Sequence, residues 1–253
     1  MTSNIGEEPV KEAKDAAQQS VQAETASQPK REYRTLLFQV ALFAALGAFA
    51  VLTFMVKSTP FFALDLNISR ALQSIDSPLF AAVMSWISWP GFLPQSVVIS
   101  ILLALLLYRL GLHWEAVTTL VAAYFPQIVN VLLKEWIRRP RPTIDLVEIF
   151  NVLDSYSFPS GHVMFYIGYF GFLWFLVFTL LKHSIPRILL LVLLGSLILL
   201  VGFSRIYLGH HWASDVLGAS LLGGITLVII LRFYRWGKER FFVRQPVSPP
   251  GGA

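Results

Sequence analysis

Long uncharged apolar stretches recur along the chain and are separated by short polar connections. Leu36–Val56 is an uncharged run of 21 residues, enough to cross a hydrocarbon core of about 30 Å as a helix. Further spans are read at Phe92–Tyr108, Ala116–Leu133, Val163–Leu181, Ile188–Phe203 and Val216–Leu231, the last bounded by Asp215 and Arg232. The shorter runs reach spanning length when their flanking aromatic and polar residues occupy the interface. Ser77–Trp89 is also uncharged, but Pro90-Gly91 ends it after about a dozen residues, a length that predicts an interfacial or re-entrant helix. Trp86 and Trp89 would then sit near the headgroups. The pattern predicts an all-α integral membrane protein, a six-helix bundle with a short interfacial helical segment between the first two spans.

Residues 1–35 break this pattern. They are rich in Glu, Lys, Ala, Gln and Ser and carry too little apolar surface to offset ordering entropy, which predicts a disordered cytoplasmic tail. Residues 36–235 form the six-span domain, and 236–253 a basic cytoplasmic C-terminal tail. Ala48-Phe49-Ala50 imitates a signal cleavage site, but the apolar run continues to Val56 behind a long charged segment. The first span therefore reads as an uncleaved anchor.

Composition agrees. Of 253 residues, 55% are hydrophobic and only 14% charged, against about 25% charged in soluble domains. The chain has no cysteine, which excludes a disulfide framework, a thiolate metal site and cysteine nucleophile chemistry. The net charge of +5 is explained by where the cations fall, and nucleic acid is not implied as a partner. One side of the membrane holds eleven Lys and Arg: Lys30, Arg31, Arg34, Arg109, Lys182, Arg187, Arg232, Arg235, Lys238, Arg240 and Arg244. The other holds seven: Lys57, Arg70, Lys134, Arg138, Arg139, Arg141 and Arg205. The majority side is expected to be cytoplasmic, with both termini. The expected location is a cell membrane, a bacterial inner membrane by this layout. Five of the seven minority cations cluster beside the third and fifth spans, which points to a function.

Three motifs fall at that end. Lys134 begins the stretch KEWIRRPRP that closes with Arg141-Pro142; Pro159-Ser160-Gly161-His162 precedes the fourth span; Ser204-Arg205, His211 and Asp215 join the fifth and sixth. Lys134, Arg141 and Arg205 supply a point charge and two planar forks suited to phosphoryl oxygens. Ser160 and Gly161 lie just ahead of a helix, where free backbone N–H groups and the helix dipole favour an anion. Two histidines match a two-step phosphoryl transfer through a covalent intermediate. His211 has Asp215 four residues on, which a helical start to the sixth span would place on one face. A carboxylate holding one imidazole nitrogen protonated frees the other to attack, so His211 is read as nucleophile and His162 as general acid.

Each piece also has a plainer reading. A lone cation at a span end is usually an interfacial anchor, a reading given equal weight for Arg138 and Arg139. A Ser-Gly before a helix is most often a cap. His211 and Asp215 alone fit a buried hydrogen-bonded pair, or half of a metal site completed by His162 and Asp154; the surrounding cations argue against a dication. His210 is read as structural, facing elsewhere on a helix. Pro126, Gln127 and Asn130 should point into the bundle. Gly168, Gly171, Gly218, Ser220, Gly223 and Gly224 read as close-packing positions between helices.

The combined pattern KxxxxxxRP, PSGH and SRxxxxxHxxxD resembles the type 2 phosphatidic acid phosphatase superfamily of membrane lipid phosphatases and vanadium haloperoxidases. Lys134, Arg141 and Pro142 match the first motif, Pro159 to His162 the second, and Ser204, Arg205, His211 and Asp215 the third. The resemblance covers roughly residues 36–235. It implies a six-helix bundle, a phosphohistidine on His211, and hydrolysis without a metal or other cofactor. Ala213 stands where many relatives have proline. The expected function is removal of a terminal phosphate from a lipid phosphate or diphosphate at the extracytoplasmic surface. Candidate substrates are phosphatidic acid, phosphatidylglycerophosphate, undecaprenyl diphosphate and lipid A phosphates. The segment from Thr59 to Trp89 would shape lipid access. The alternatives are a lipid phosphotransferase using the same phosphohistidine, and a non-catalytic anion-binding membrane protein.

Overall fold

The computed structural model describes residues 28–241; most of the two expected tails lies outside the described residues. The first helix, α1, spans Gln28–Ser58, so helix begins inside the stretch read as tail, and the last helix likewise runs beyond residue 235. After α1 come α2 (Ala63–Gln73), α3 (Pro78–Ser88), α4 (Gln95–Arg109), α5 (His113–Ile137), α6 (Gly161–Leu180), α7 (Ile185–Tyr207) and α8 (Ala213–Phe241). No strand occurs among the described residues.

Five of these helices, α1, α5, α6, α7 and α8, are long and apolar enough to cross a membrane. The expected second span is different. Phe92–Pro94 is not helical, and α4 joins α3 through a 3₁₀ turn at Trp89–Gly91 with a bend of 57°. Pro90 and Pro94 flank the break, where each lacks the N–H that a continuing helix would need. The pair counts as a sixth span only if both pieces are taken together. The segment between α1 and α4 therefore holds two short helices, α2 and α3, rather than one. Exposed Phe54, Leu102 and Leu199 are apolar surface of the kind that lipid covers.

Between residues 45 and 241, α4 packs on α5, α3 and α6 on α7, and α5 on α8. The core holds Phe158, Tyr166, Tyr169 and Phe170, with a second cluster around Phe172 and Tyr234. Small residues allow the close approaches. A Cβ on Gly168 would lie 2.6 Å from Pro126 Cγ, and one on Gly218 2.4 Å from Phe158 Cε2. Gly171 and Gly223 are similarly tight, but Gly224 has nothing within 4 Å and Ser220 is exposed, so those two do not serve as packing positions. Beside Pro126, α6 loosens into a π-helical turn over Tyr166–Phe170. At the end away from the three motifs, buried Glu115 pairs with Lys238 at 2.6 Å and accepts from the Tyr234 hydroxyl at 2.8 Å. That contact fastens the start of α5 to the end of α8.

Candidate active site

The C-terminal ends of α5 and α7 meet the N-terminal ends of α6 and α8, and all three motifs lie at that junction. Helix α5 stops where Arg138 adopts a left-handed conformation (φ 56°). The reversal leaves Arg138 exposed while Arg139 is 1% exposed. Arg138 thus sits where an anchor would, whereas the anchor reading fails for Arg139. Its guanidinium contacts Asp65 Oδ2 at 3.0 Å and Asp215 Oδ1 at 2.5 Å.

The turn carrying Pro159 to Gly161 is held from α5. Asn130 Nδ2 donates to the Pro159 carbonyl at 2.9 Å, and Gln127 Nε2 to the Gly161 carbonyl at 3.0 Å. The expectation that these polar side chains face inward holds, and their task is to fix this turn. Ser160 precedes α6 with its hydroxyl buried and unpartnered. Its backbone N–H donates to the Asp215 carbonyl at 3.3 Å, which ties the second motif to the third.

His211 is not on a helix, because α8 starts at Ala213. The turn from α7 passes through Gly209 at φ +70°, where an added Cβ would meet the Glu148 carbonyl oxygen at 2.1 Å. This turn, rather than a helical repeat, brings His211 Nδ1 to 3.5 Å from Asp215 Oδ2. Ser157 Oγ lies at the same 3.5 Å from Nδ1, and itself donates to Asp215 Oδ2. Trp212 N–H donates to that oxygen at 2.9 Å. Arg141 Nη1 stands 3.3 Å from the other ring nitrogen, Nε2. Burial, then the cations Arg141, Lys134 and Arg205, hold His211 well below the ordinary histidine value. These surroundings favour a neutral ring, and a proton on Nδ1 directed at Asp215 would put the lone pair on Nε2, beside Arg141.

The cations are held by oxygen acceptors. Lys134 Nζ donates to the Tyr156 carbonyl. Arg141 donates from Nε to the Ser155 carbonyl at 2.6 Å, from Nη2 to Ser155 Oγ at 2.8 Å, and from Nη1 to the His210 carbonyl. Desolvation lowers Arg141 to about 10, with Asp215 acting in the opposite sense, so it stays charged. Arg205 is fully buried; Nη1 donates to Ser88 Oγ at 2.9 Å, while Nε and Nη2 have no partner. His162 also has an unpartnered, buried Nε2, and Phe92 meets its ring edge-to-face at 4.5 Å. Phe92 further lies 5.1 Å from the Arg205 guanidinium and 6.3 Å from the His210 ring. His210 is therefore at the site's edge rather than turned away. The helical argument failed there because residues 208–212 form a turn.

All eight residues read from the motifs, Lys134, Arg141, Ser160, Gly161, His162, Arg205, His211 and Asp215, thus converge. Sequence reasoning missed Asp65, Ser88, Phe92 and Ser157, and undervalued Arg139. Among the described residues no three His, Asp or Glu side chains are grouped as a metal site.

The sequence model of the PAP2 superfamily matches residues 112–239. The chain belongs to the PAP2 superfamily. As a member, it is a multi-span membrane phosphatase. It is 33% identical over 197 residues to phosphatidylglycerophosphatase B of Bacillus subtilis (strain 168), covering 76% of this chain and 91% of that protein. The crystal structure of the transmembrane PAP2-type phosphatidylglycerolphosphate phosphatase from Bacillus subtilis superposes with a TM-score of 0.68. It is 27% identical, covering 77% of this PAP2 chain and 96% of that one. Aquifex aeolicus LpxE shares the fold, with a TM-score of 0.53 at 24% identity over 68% of this chain and 96% of its own.

Proposed function

We propose that the chain hydrolyses a terminal phosphate from a lipid phosphate at the extracytoplasmic membrane surface, with phosphatidylglycerophosphate as the leading substrate. The observation that carries this reading is the environment of His211: neutral, with Nδ1 toward Asp215 and Nε2 beside Arg141, at a junction of buried cations. His211 Nε2 attacks phosphorus while the lipid alkoxide leaves, and the imidazolium that forms is stabilised through Nδ1 by Asp215. Lys134, Arg141, Arg205, the Ser160 hydroxyl and the Gly161 N–H hold the equatorial oxygens. His162, carrying a proton brought in with the phosphate monoanion, protonates the leaving oxygen, and as the neutral base then takes a proton from the water that cleaves the phosphohistidine. The cations fill the role of a metal clamp. The choice of substrate is supported by the name of the relative with 33% identity and by a site at helix ends, where headgroups are met first.

The test is phosphate release by purified protein from phosphatidylglycerophosphate, phosphatidic acid, undecaprenyl diphosphate and a lipid A phosphate, with and without EDTA. The expected result is turnover that survives chelation, is greatest on phosphatidylglycerophosphate, and passes through an acid-labile phosphoenzyme absent from His211→Ala. Loss of turnover in EDTA with recovery on adding one metal would overturn the mechanism. A phosphohistidine mapped to residue 162 would reverse the roles.

A further inference from the structure

Arg139 and Asp65 lie outside the phosphate-holding residues, yet they form a densely bonded buried polar group among the described residues. Arg139 donates from Nε to the Pro60 carbonyl at 3.0 Å, from Nη1 to Ser214 Oγ at 2.7 Å and Asp215 Oδ1 at 2.5 Å, and from Nη2 to Asp65 Oδ2 at 3.0 Å. Asp65 Oδ1 accepts from the Ser214 N–H at 2.8 Å. Asp65 Oδ2 accepts from Ser214 Oγ at 2.7 Å and the Phe62 N–H at 3.1 Å. Both carboxylates and the guanidinium are buried, so water screens little of their interaction.

The charge arithmetic gives this group a purpose. An arginine paired with Asp215 alone would neutralise the carboxylate that supports His211, and the pair would offer an incoming imidazolium almost nothing. A second carboxylate on the same guanidinium divides its charge. Asp65, Arg139 and Asp215 together carry one net negative charge, which becomes zero when His211 turns cationic. Arg139 also fixes the rotamer of Asp215, since it holds Oδ1 while Ser157, Trp212 and His211 share Oδ2.

We propose that Arg139 and Asp65 are positioning residues for the phosphoryl-transfer step: Arg139 orients Asp215, and Asp65 offsets Arg139 so that Asp215 keeps its negative field toward His211. The inference rests on His211 being the nucleophile. Through Asp65, which lies on α2, the segment between α1 and α4 becomes part of the catalytic apparatus rather than only a shaper of lipid access.

The test reads the acid limb of kcat/KM, where His211 must be neutral to attack. His211 is faced by Asp215 from α8, Lys134 from α5, Arg141 from the loop after it, His162 from α6 and Arg205 from α7. None of these changes in the variants. The substrate's own titration is common to all proteins and cancels in the difference. Asp65→Asn removes a negative charge, so the limb should move to lower pH, with kcat reduced about 10–100-fold, as for outer-shell partners elsewhere, and KM little changed. Arg139→Met removes a positive charge and should move the limb to higher pH; Arg139→Lys should restore part of the wild-type profile. Opposite shifts in the two charge variants support the proposal. An unshifted limb in folded Asp65→Asn overturns it, even if Arg139→Met does not accumulate. Activity surviving in His211→Ala would instead remove the mechanism on which the inference rests.

Discussion

Gly91→Ala tests the assignment of His162 without touching a motif residue. Gly91 closes the 3₁₀ turn at the α3–α4 break, and its Cα faces the His162 ring. A Cβ there would lie 2.5 Å from His162 Cδ2, 3.0 Å from His162 Cγ and 3.0 Å from Tyr166 Cε2. Carbon atoms rest at about 3.5–4.0 Å, so the imidazole must retreat by roughly 1 Å or the turn must yield. Yielding is opposed at the start of the turn, where Ser88 is buried and bonded to Ser204 and Arg205. A misplacement of about 1 Å costs on the order of 10²-fold in a catalytic step. If His162 protonates the leaving oxygen, that loss should fall on substrates whose leaving group needs a proton. The assay compares a lipid alkyl phosphate with 4-nitrophenyl phosphate, whose phenolate leaves unaided. The alkyl substrate should lose about 10–10²-fold in kcat/KM, which reads the leaving step without the later hydrolysis common to both, and the aryl substrate little. In a His162→Ala background there is no imidazole to displace and only the 3.0 Å approach to Tyr166 remains, so the added methyl should cost little further. Equal losses on both substrates, or full additivity in the double variant, would refute the reasoning.

Asn130→Ala removes the donor that holds the Pro159 carbonyl and should cost about 1–3 kcal/mol of stability by leaving a buried acceptor bare; it should raise KM more than it lowers kcat, measured by detergent-phase melting and steady-state kinetics. His210 is pushed down to about 3, first by burial and then by Arg205 and Arg141. Below the ordinary value of 6.5 the unfolded chain takes a proton that the folded chain refuses. This stability is therefore present above about pH 6.5 and lost as pH falls toward about 3, with His211 acting in the same sense. Tm should decline over that range, and His210→Phe should flatten part of the decline. Orientation can be read with one cysteine, since the chain has none. Asp154→Cys, at an exposed position, should react with an impermeant thiol reagent in intact cells, and labelling only after permeabilisation would invert the topology.

The site's charged and nucleophilic members were legible because each sits at a span boundary, where a polar residue needs a reason. Lys134, Arg141, Arg205, His162 and His211 stand out against apolar runs for that reason alone. Arg139 did not, because Arg138 beside it is chemically identical; a left-handed residue that ends α5 decides which of the two is buried. Asp65 was hidden by distance, 74 residues before its partner, in a short amphipathic stretch whose pattern is ordinary. The His211–Asp215 contact was expected for a helical reason and is made by a turn, so spacing led to a true neighbour through the wrong geometry. Phe92 and Ser88 owe their place to the break at Phe92–Pro94. Pro90-Gly91 foretold the end of the helix before it, but the expected span began at Phe92 and ran through Pro94, so neither the break there nor the side chains it aims at the site were foreseen.

The cations explain how the site accommodates both an empty and a charged state. Burying Lys134 and Arg205 beside a half-buried Arg141 is costly unless each finds acceptors. Carbonyl oxygens of Tyr156, Ser155 and His210 and the hydroxyl of Ser88 supply them. These partners are neutral dipoles. A phosphoryl group offers charged oxygens, whose hydrogen bonds are roughly twice as strong, and so outcompetes them without the cage being rebuilt. The unpartnered Nε and Nη2 of Arg205 and hydroxyl of Ser160 add donors whose gain is realised only with an anion. In the proposed mechanism Arg141 has a further task, because its Nη1 lies beside His211 Nε2, the atom that would attack. A donation from Arg141 there would occupy the lone pair, and a phosphate drawing the guanidinium onto its own oxygens would release it. Binding the charged group and freeing the histidine are then one event.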